Sequence, residues 1–223
     1  MTLKLFVQAM GKMLLGILAV CLLVFIPAGT IKFFNGWLLV ISLFVPMFVA
    51  GVVMMFKSPE LLKRRLDVKE TDNGQKLVIS LSAIMFMLGF IVAGLGFRFN
   101  WYMVSKTVVA FATGMFFISY ILYAEVLREN PYLSRTVNVC PDQKVVDSGL
   151  YSIVRHPMYL ITIIMFLSIP LILGSVYSFL IFLAYPFIIV KRIKSEESFL
   201  EKELNGYTEY KQKIKYRLIP FIW

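Results

Sequence analysis

One histidine and two cysteines are all the imidazole and thiol groups in 223 residues. A lone His156, with no second histidine and no cysteine cluster, leaves no ligand set for a zinc site. Cys21 and Cys140 are too few for a disulfide framework. Charge is scarce as well. Only 16% of residues are charged, against 59% hydrophobic, and the mean hydropathy is +0.79. Soluble domains sit nearer about 45–50% apolar. No glycine-rich dinucleotide fingerprint occurs, and there is no internal repeat or low-complexity tract. These absences argue against a soluble domain, a disulfide scaffold and a zinc site. They leave a single membrane domain spanning 1–223.

The charges that do occur are clustered and mostly basic, giving a net +10. In so apolar a chain the excess follows the positive-inside rule and anionic lipid headgroups, and nucleic acid is not an expected partner. A helical span needs roughly 20 apolar residues. Residues 13–26, 33–56, 77–97 and 103–127 supply four, so 1–127 holds the N-terminal spans. The opening stretch 1–27 has no small-residue cleavage site and reads as a retained first helix. The apolar run from Met158 to Val190 is too long for one span. Pro170, Gly174 and Ser175 are turn signals, which split the run into a hairpin, 158–173 and 175–191. The fold expected is therefore all-α, a polytopic integral membrane helical bundle of about six spans. It ends in a C-terminal helical hairpin and a cytoplasmic amphipathic helix.

Six spans put both termini on one side. Lys4, Lys12, Lys57, Lys63, Arg64, Arg65, Lys69, Lys76, Arg128, Arg135, Lys144, Arg155, Lys191, Arg192 and Lys194 then share that side, against Lys32, Arg98 and Lys106 on the other. This asymmetry assigns the termini and the long loops to the cytoplasm. Two segments lie outside the spans. Residues 128–155 carry Pro131, Pro141 and Gly149, with "QKVVDSGLY" as a strand-like or turn segment. Residues 191–223 place Ile193, Phe199, Leu200 and Leu204 at helical spacing, with Gly206 as a helix stop.

Arg192 and Glu196 stand four apart and share a helix face. An Arg-x-x-x-Glu pair is ordinarily a surface ion pair. Here Glu197 adjoins it at the mouth of an apolar bundle, where charged groups are functional candidates. Arg155-His156-Pro157-Met158-Tyr159 starts the hairpin, with Pro157 suited to a first helical turn. Asp147-Ser148-Gly149 is turn chemistry. All three features fall on one membrane face.

Together, "GLYSIVRHPMY" and "RIKSEESFLEKELNGYTEYKQKIKYRLIPFIW" resemble the C-terminal half of the isoprenylcysteine carboxyl methyltransferase family and its phospholipid methyltransferase relatives. The resemblance covers roughly residues 135–223. It implies S-adenosylmethionine as cofactor and a lipophilic or lipid-modified acceptor drawn from the membrane. It also implies that Gln143, Lys144, Val145, Val146, Tyr151, His156, Pro157, Met158 and Tyr159 form the cofactor wall. Glu196 would hold the methionine ammonium, and Arg192 would meet the acceptor carboxylate, these two being the catalytic pair. Many members carry glycine where Ile161 stands here.

The chemistry suits such a set. A carboxylate acceptor is ionised near neutral pH, so methyl transfer to it needs no general base. An amine acceptor on a phospholipid headgroup would need one, and Glu196, Glu197 or His156 are candidates. Membrane reductases using NADPH share a similar late architecture. Pro170 and Pro186 would also suit a transporter's broken helices.

Overall fold

The computed structural model describes residues 3–67, 73–134, 136–140 and 142–223. Lys69, Arg135 and Pro141 of the sequence reading lie outside the described residues. Long apolar runs fold as long helices: α1 (Leu3–Ala28), α2 (Phe34–Lys57), α4 (Asn73–Arg98) and α5 (Lys106–Glu129). The short amphipathic α3 (Pro59–Leu66) lies between α2 and α4. The hairpin arms are α6 (Pro157–Ile172) and the pair α7 (Val176–Phe182) and α8 (Ala184–Glu203), followed by α9 (Tyr207–Lys213). Five helical stretches, with α7 and α8 taken together, are long and apolar enough to cross a membrane, and α6 is a shorter apolar helix. The protein is an all-α polytopic membrane bundle. Among the described residues the β-type pairing is one isolated bridge, Met103 to Ser175, so 143–151 is not a strand.

The hairpin turn follows from its sequence. Gly174 adopts φ +81°, Ser175 N–H donates to Pro170 O and Gly174 N–H to Leu171 O, a Schellman closure that needs glycine at the left-handed position. Ser175 then caps α7, its Oγ accepting from Ser178 N. The expected second arm is broken at Leu183. Pro186 cannot donate to Phe182 O and its ring crowds that carbonyl, so the helix restarts. From Ala184, α8 runs without interruption through Arg192 to Glu203. The amphipathic segment is thus a direct extension of the last span.

In lipid, helices associate through close packing more than through hydrophobic gain. Gly94 lets α4 approach α1: a Cβ there would stand 2.5 Å from Val24 O. Gly89 similarly admits the Phe182 ring, and its carbonyl accepts from Ser178 Oγ at 2.8 Å. Phe86 meets Phe166 and Phe182 edge-on at 4.9 and 5.2 Å. These contacts fix α6 and α7 against α4. The hairpin tip meets the α4–α5 connection, with Val104 N–H donating to Gly174 O. The starts of α4 and α6 and the end of α8 consequently gather at the opposite end of the bundle.

Candidate active site

At that end, residues 130–134, 136–138 and 143–146, the start of α6, the last turns of α8 and α9 enclose a cleft of about 840 Å³ including its open mouth. One wall is polar. Tyr159, in the first turn of α6 and buried, receives a hydrogen bond from Arg192 Nε at 2.7 Å. Its hydroxyl donates to Glu196 Oε2. One phenol therefore links the guanidinium and carboxylate that the four-residue spacing on α8 had placed on a common face.

Glu197 turns away from them. It is 3% exposed. Its Oε1 accepts from Arg155 Nε at 2.8 Å and lies 3.2 Å from His156 Nε2. Its Oε2 accepts from Arg217 Nε at 2.8 Å. Arg155 Nη1 also donates to Ile214 O and Lys215 O. The backbone amides of Arg155 and His156 donate to Tyr216 O and Arg217 O. Segment 214–217 is thereby latched across the start of α6. His156 and Pro157 occupy the N-cap and N1 positions there.

Most residues assigned from the sequence converge. Gln143, Lys144, Val145, Val146, Tyr151, His156, Met158, Tyr159, Arg192 and Glu196 all line the cleft. Pro157 does not; it is buried in the first turn of α6. Gln143 closes its own turn, its Oε1 accepting from Cys140 N. Gly149 is required on geometric grounds: φ is +53°, and a Cβ would fall 1.5 Å from Glu129 Oε1. The same carboxylate accepts from Leu150 N at 2.9 Å, fixing the 3₁₀ turn Gly149–Ser152 that presents Tyr151.

Other lining residues escaped the sequence reading. Asn130 donates to the Tyr151 hydroxyl at 3.1 Å, and its Oδ1 accepts from Tyr132 N. Tyr207 and Tyr210, three apart on α9, present one face to the cleft. Tyr210 donates to Tyr151 O at 2.7 Å. Burial pushes the Tyr151, Tyr207 and Tyr210 phenols well above their ordinary pKa, and Glu196 adds to this at Tyr151 and Tyr207. All three stay neutral; the Tyr151 hydroxyl accepts from Asn130, and the Tyr210 hydroxyl donates. The spacing of Tyr207 and Tyr210 was the available signal; Asn130 carried none. The basic residues of α3 also reach this end: Arg64 Nη1 donates to Pro131 O at 3.0 Å, and Arg65 lies over the Tyr123 ring. Among the described residues no cluster of His, Cys, Asp or Glu could hold a metal ion.

No curated protein matches the chain. Residues 108–202, from α5 nearly to the end of α8 and including every residue from Gln143 to Glu196, match the model of the Isoprenylcysteine carboxyl methyltransferase (ICMT) family.

Proposed function

We propose that this protein transfers a methyl group from S-adenosylmethionine to a membrane-embedded acceptor, most suitably the carboxylate of an isoprenylcysteine-like or other lipophilic acid. The observation that carries this reading is the Arg192–Tyr159–Glu196 wall on a cleft at the end of apolar helices. The donor is soluble and the acceptor lipophilic, and a cleft at such a boundary serves both. Positive-inside asymmetry supports a cytoplasmic side for it.

The donor set fits S-adenosylmethionine. Glu196 offers a carboxylate for an ammonium, and Tyr207 keeps a buried hydroxyl without a partner. Val145, Val146 and Met158 offer apolar wall for a nucleoside. When bound, the donor supplies an activated methyl on a sulfonium. The chain's own residues position the reactants and exclude water, which is the main requirement for such a displacement. Arg192, steadied by the Tyr159 hydroxyl, orients the acceptor carboxylate, as guanidinium groups do. Glu196, receiving the Tyr159 proton in a hydrogen bond, holds the donor's amino group.

Carboxylate is favoured over amine as the acceptor. An amine needs a base, and both oxygens of Glu197 are engaged by Arg155, His156 and Arg217. Labelled S-adenosylmethionine incubated with the purified protein and either prenylcysteine analogues or phosphatidylethanolamine tests this directly. Label is expected in a base-labile ester of the acid. Calorimetry with Glu196→Ala is expected to show no S-adenosylhomocysteine binding, whereas Arg192→Ala loses turnover with little loss of affinity. Saturable NADPH binding without S-adenosylhomocysteine binding would overturn the reading.

A further inference from the structure

Among the described residues of the cleft, one phenol hydroxyl is buried without a hydrogen-bond partner. Tyr207 is 4% exposed, and its hydroxyl oxygen is buried without a hydrogen-bond partner. The neighbouring phenols are engaged: Tyr159 with Arg192 and Glu196, Tyr151 with Asn130, Tyr210 with Tyr151 O. The Tyr207 ring packs in a cluster with Leu204, Tyr210 and Ile214. That packing accounts for the ring but not for the oxygen. A buried polar atom left unpaired is destabilising, and phenylalanine would fill the same space without that cost. Tyr207 lines the cleft, and its phenol lies within electrostatic reach of Glu197 and Glu196. A neutral phenol beside two carboxylates, already committed to no acceptor, is a donor waiting for one.

We infer that the Tyr207 hydroxyl donates a hydrogen bond to the α-carboxylate of the methyl donor. The inference rests on the functional reading above, in which Glu196 takes the α-ammonium. An α-amino acid carries both charges on one carbon, so a donor beside the ammonium site meets the carboxylate. Glu196 and Tyr207 then divide the zwitterion between them: the acid binds the cation and the phenol binds the anion. Tyr207 lies outside the stretch that matches the family model, so the pairing rests on this chain's own geometry.

Titration calorimetry of the full-length protein with two ligands isolates this contact. One ligand is S-adenosylhomocysteine. The other is its decarboxylated analogue, which keeps the ammonium. Wild-type protein is expected to bind the decarboxylated ligand about tenfold or more weakly, the worth of a hydrogen bond to a charged group. Tyr207→Phe is expected to bind S-adenosylhomocysteine weaker by a similar factor. It should discriminate little between the two ligands, as coupled partners do in a double-mutant cycle. Wild-type protein indifferent to decarboxylation overturns the inference even without the variant. Full discrimination retained in Tyr207→Phe overturns it as well. In both cases S-adenosylhomocysteine still binds and the methyltransferase reading survives. Wild-type protein that binds neither ligand overturns both.

Discussion

Replacing Glu197 tests whether the tail latch is held by one carboxylate. In Glu197→Ala, Arg155, 6% exposed, remains buried without its ion partner. Removing one member of a buried pair costs about 3–5 kcal/mol. The loss falls on a defined region, because Arg155 also holds Ile214 O and Lys215 O, and Arg217 loses its own acceptor. If about 3 kcal/mol of it is taken from local closure of 214–217, the open population rises on the order of 10²-fold. Trypsin cuts after Lys215 and Arg217, and cleavage follows the open population when reclosing is fast. Limited proteolysis read by mass spectrometry should therefore release the C-terminal fragment up to about 10² times faster. Glu196→Ala is the control, since Glu196 bonds to Tyr159 and not to the tail. Wild-type cleavage kinetics in Glu197→Ala, or equal acceleration in both variants, would refute the latch.

Two further outcomes follow from the walls of the cleft. Gly149→Ala puts a methyl where Glu129 Oε1 stands and forces a left-handed backbone on alanine; losing the Glu129 bond to Leu150 N adds to this, for a total of about 3 kcal/mol. Calorimetry should show S-adenosylhomocysteine affinity falling at least tenfold as Tyr151 shifts, and unchanged affinity would sink the account of this turn. Arg64→Ala combined with Arg65→Ala removes the contacts from α3 to Pro131, Ser134 and Tyr123. Such partly exposed contacts are worth little singly, so ligand affinity should fall about threefold to tenfold with the helical circular dichroism unchanged. A wild-type affinity would show that α3 does not steady the cleft.

Which parts of this protein could be read from sequence follows from the range of the physics. The spans were legible because hydrocarbon demands length and apolarity, and both are local. The hairpin turn was legible because Gly174 sits where only a left-handed residue closes the helix. The break at Leu183 had its cause in plain view at Pro186, but a proline early in a helix is compatible with continuation or restart. Segment 130–134 has no period to read, since its course is set by side-chain bonds such as Asn130 to Tyr132.

The site divides in the same way. Arg192 and Glu196 were legible because a separation of four puts two side chains on one face. The adjacent carboxylates were not equivalent, because neighbouring positions on a helix diverge by about 100°. Glu196 therefore turns to the cleft and Glu197 to Arg155, which is 42 residues away in sequence. No local rule connects those two. Tyr207 is the extreme case. Beside Gly206, near an apolar tail, it reads as an anchor or as packing, and its ring does pack. What distinguishes it is an oxygen that the rest of the fold leaves unpaired, and that property exists only once α8, α9 and segment 143–146 have come together. If that oxygen serves the donor's carboxylate, Tyr207→Phe will keep the packing and lose the discrimination.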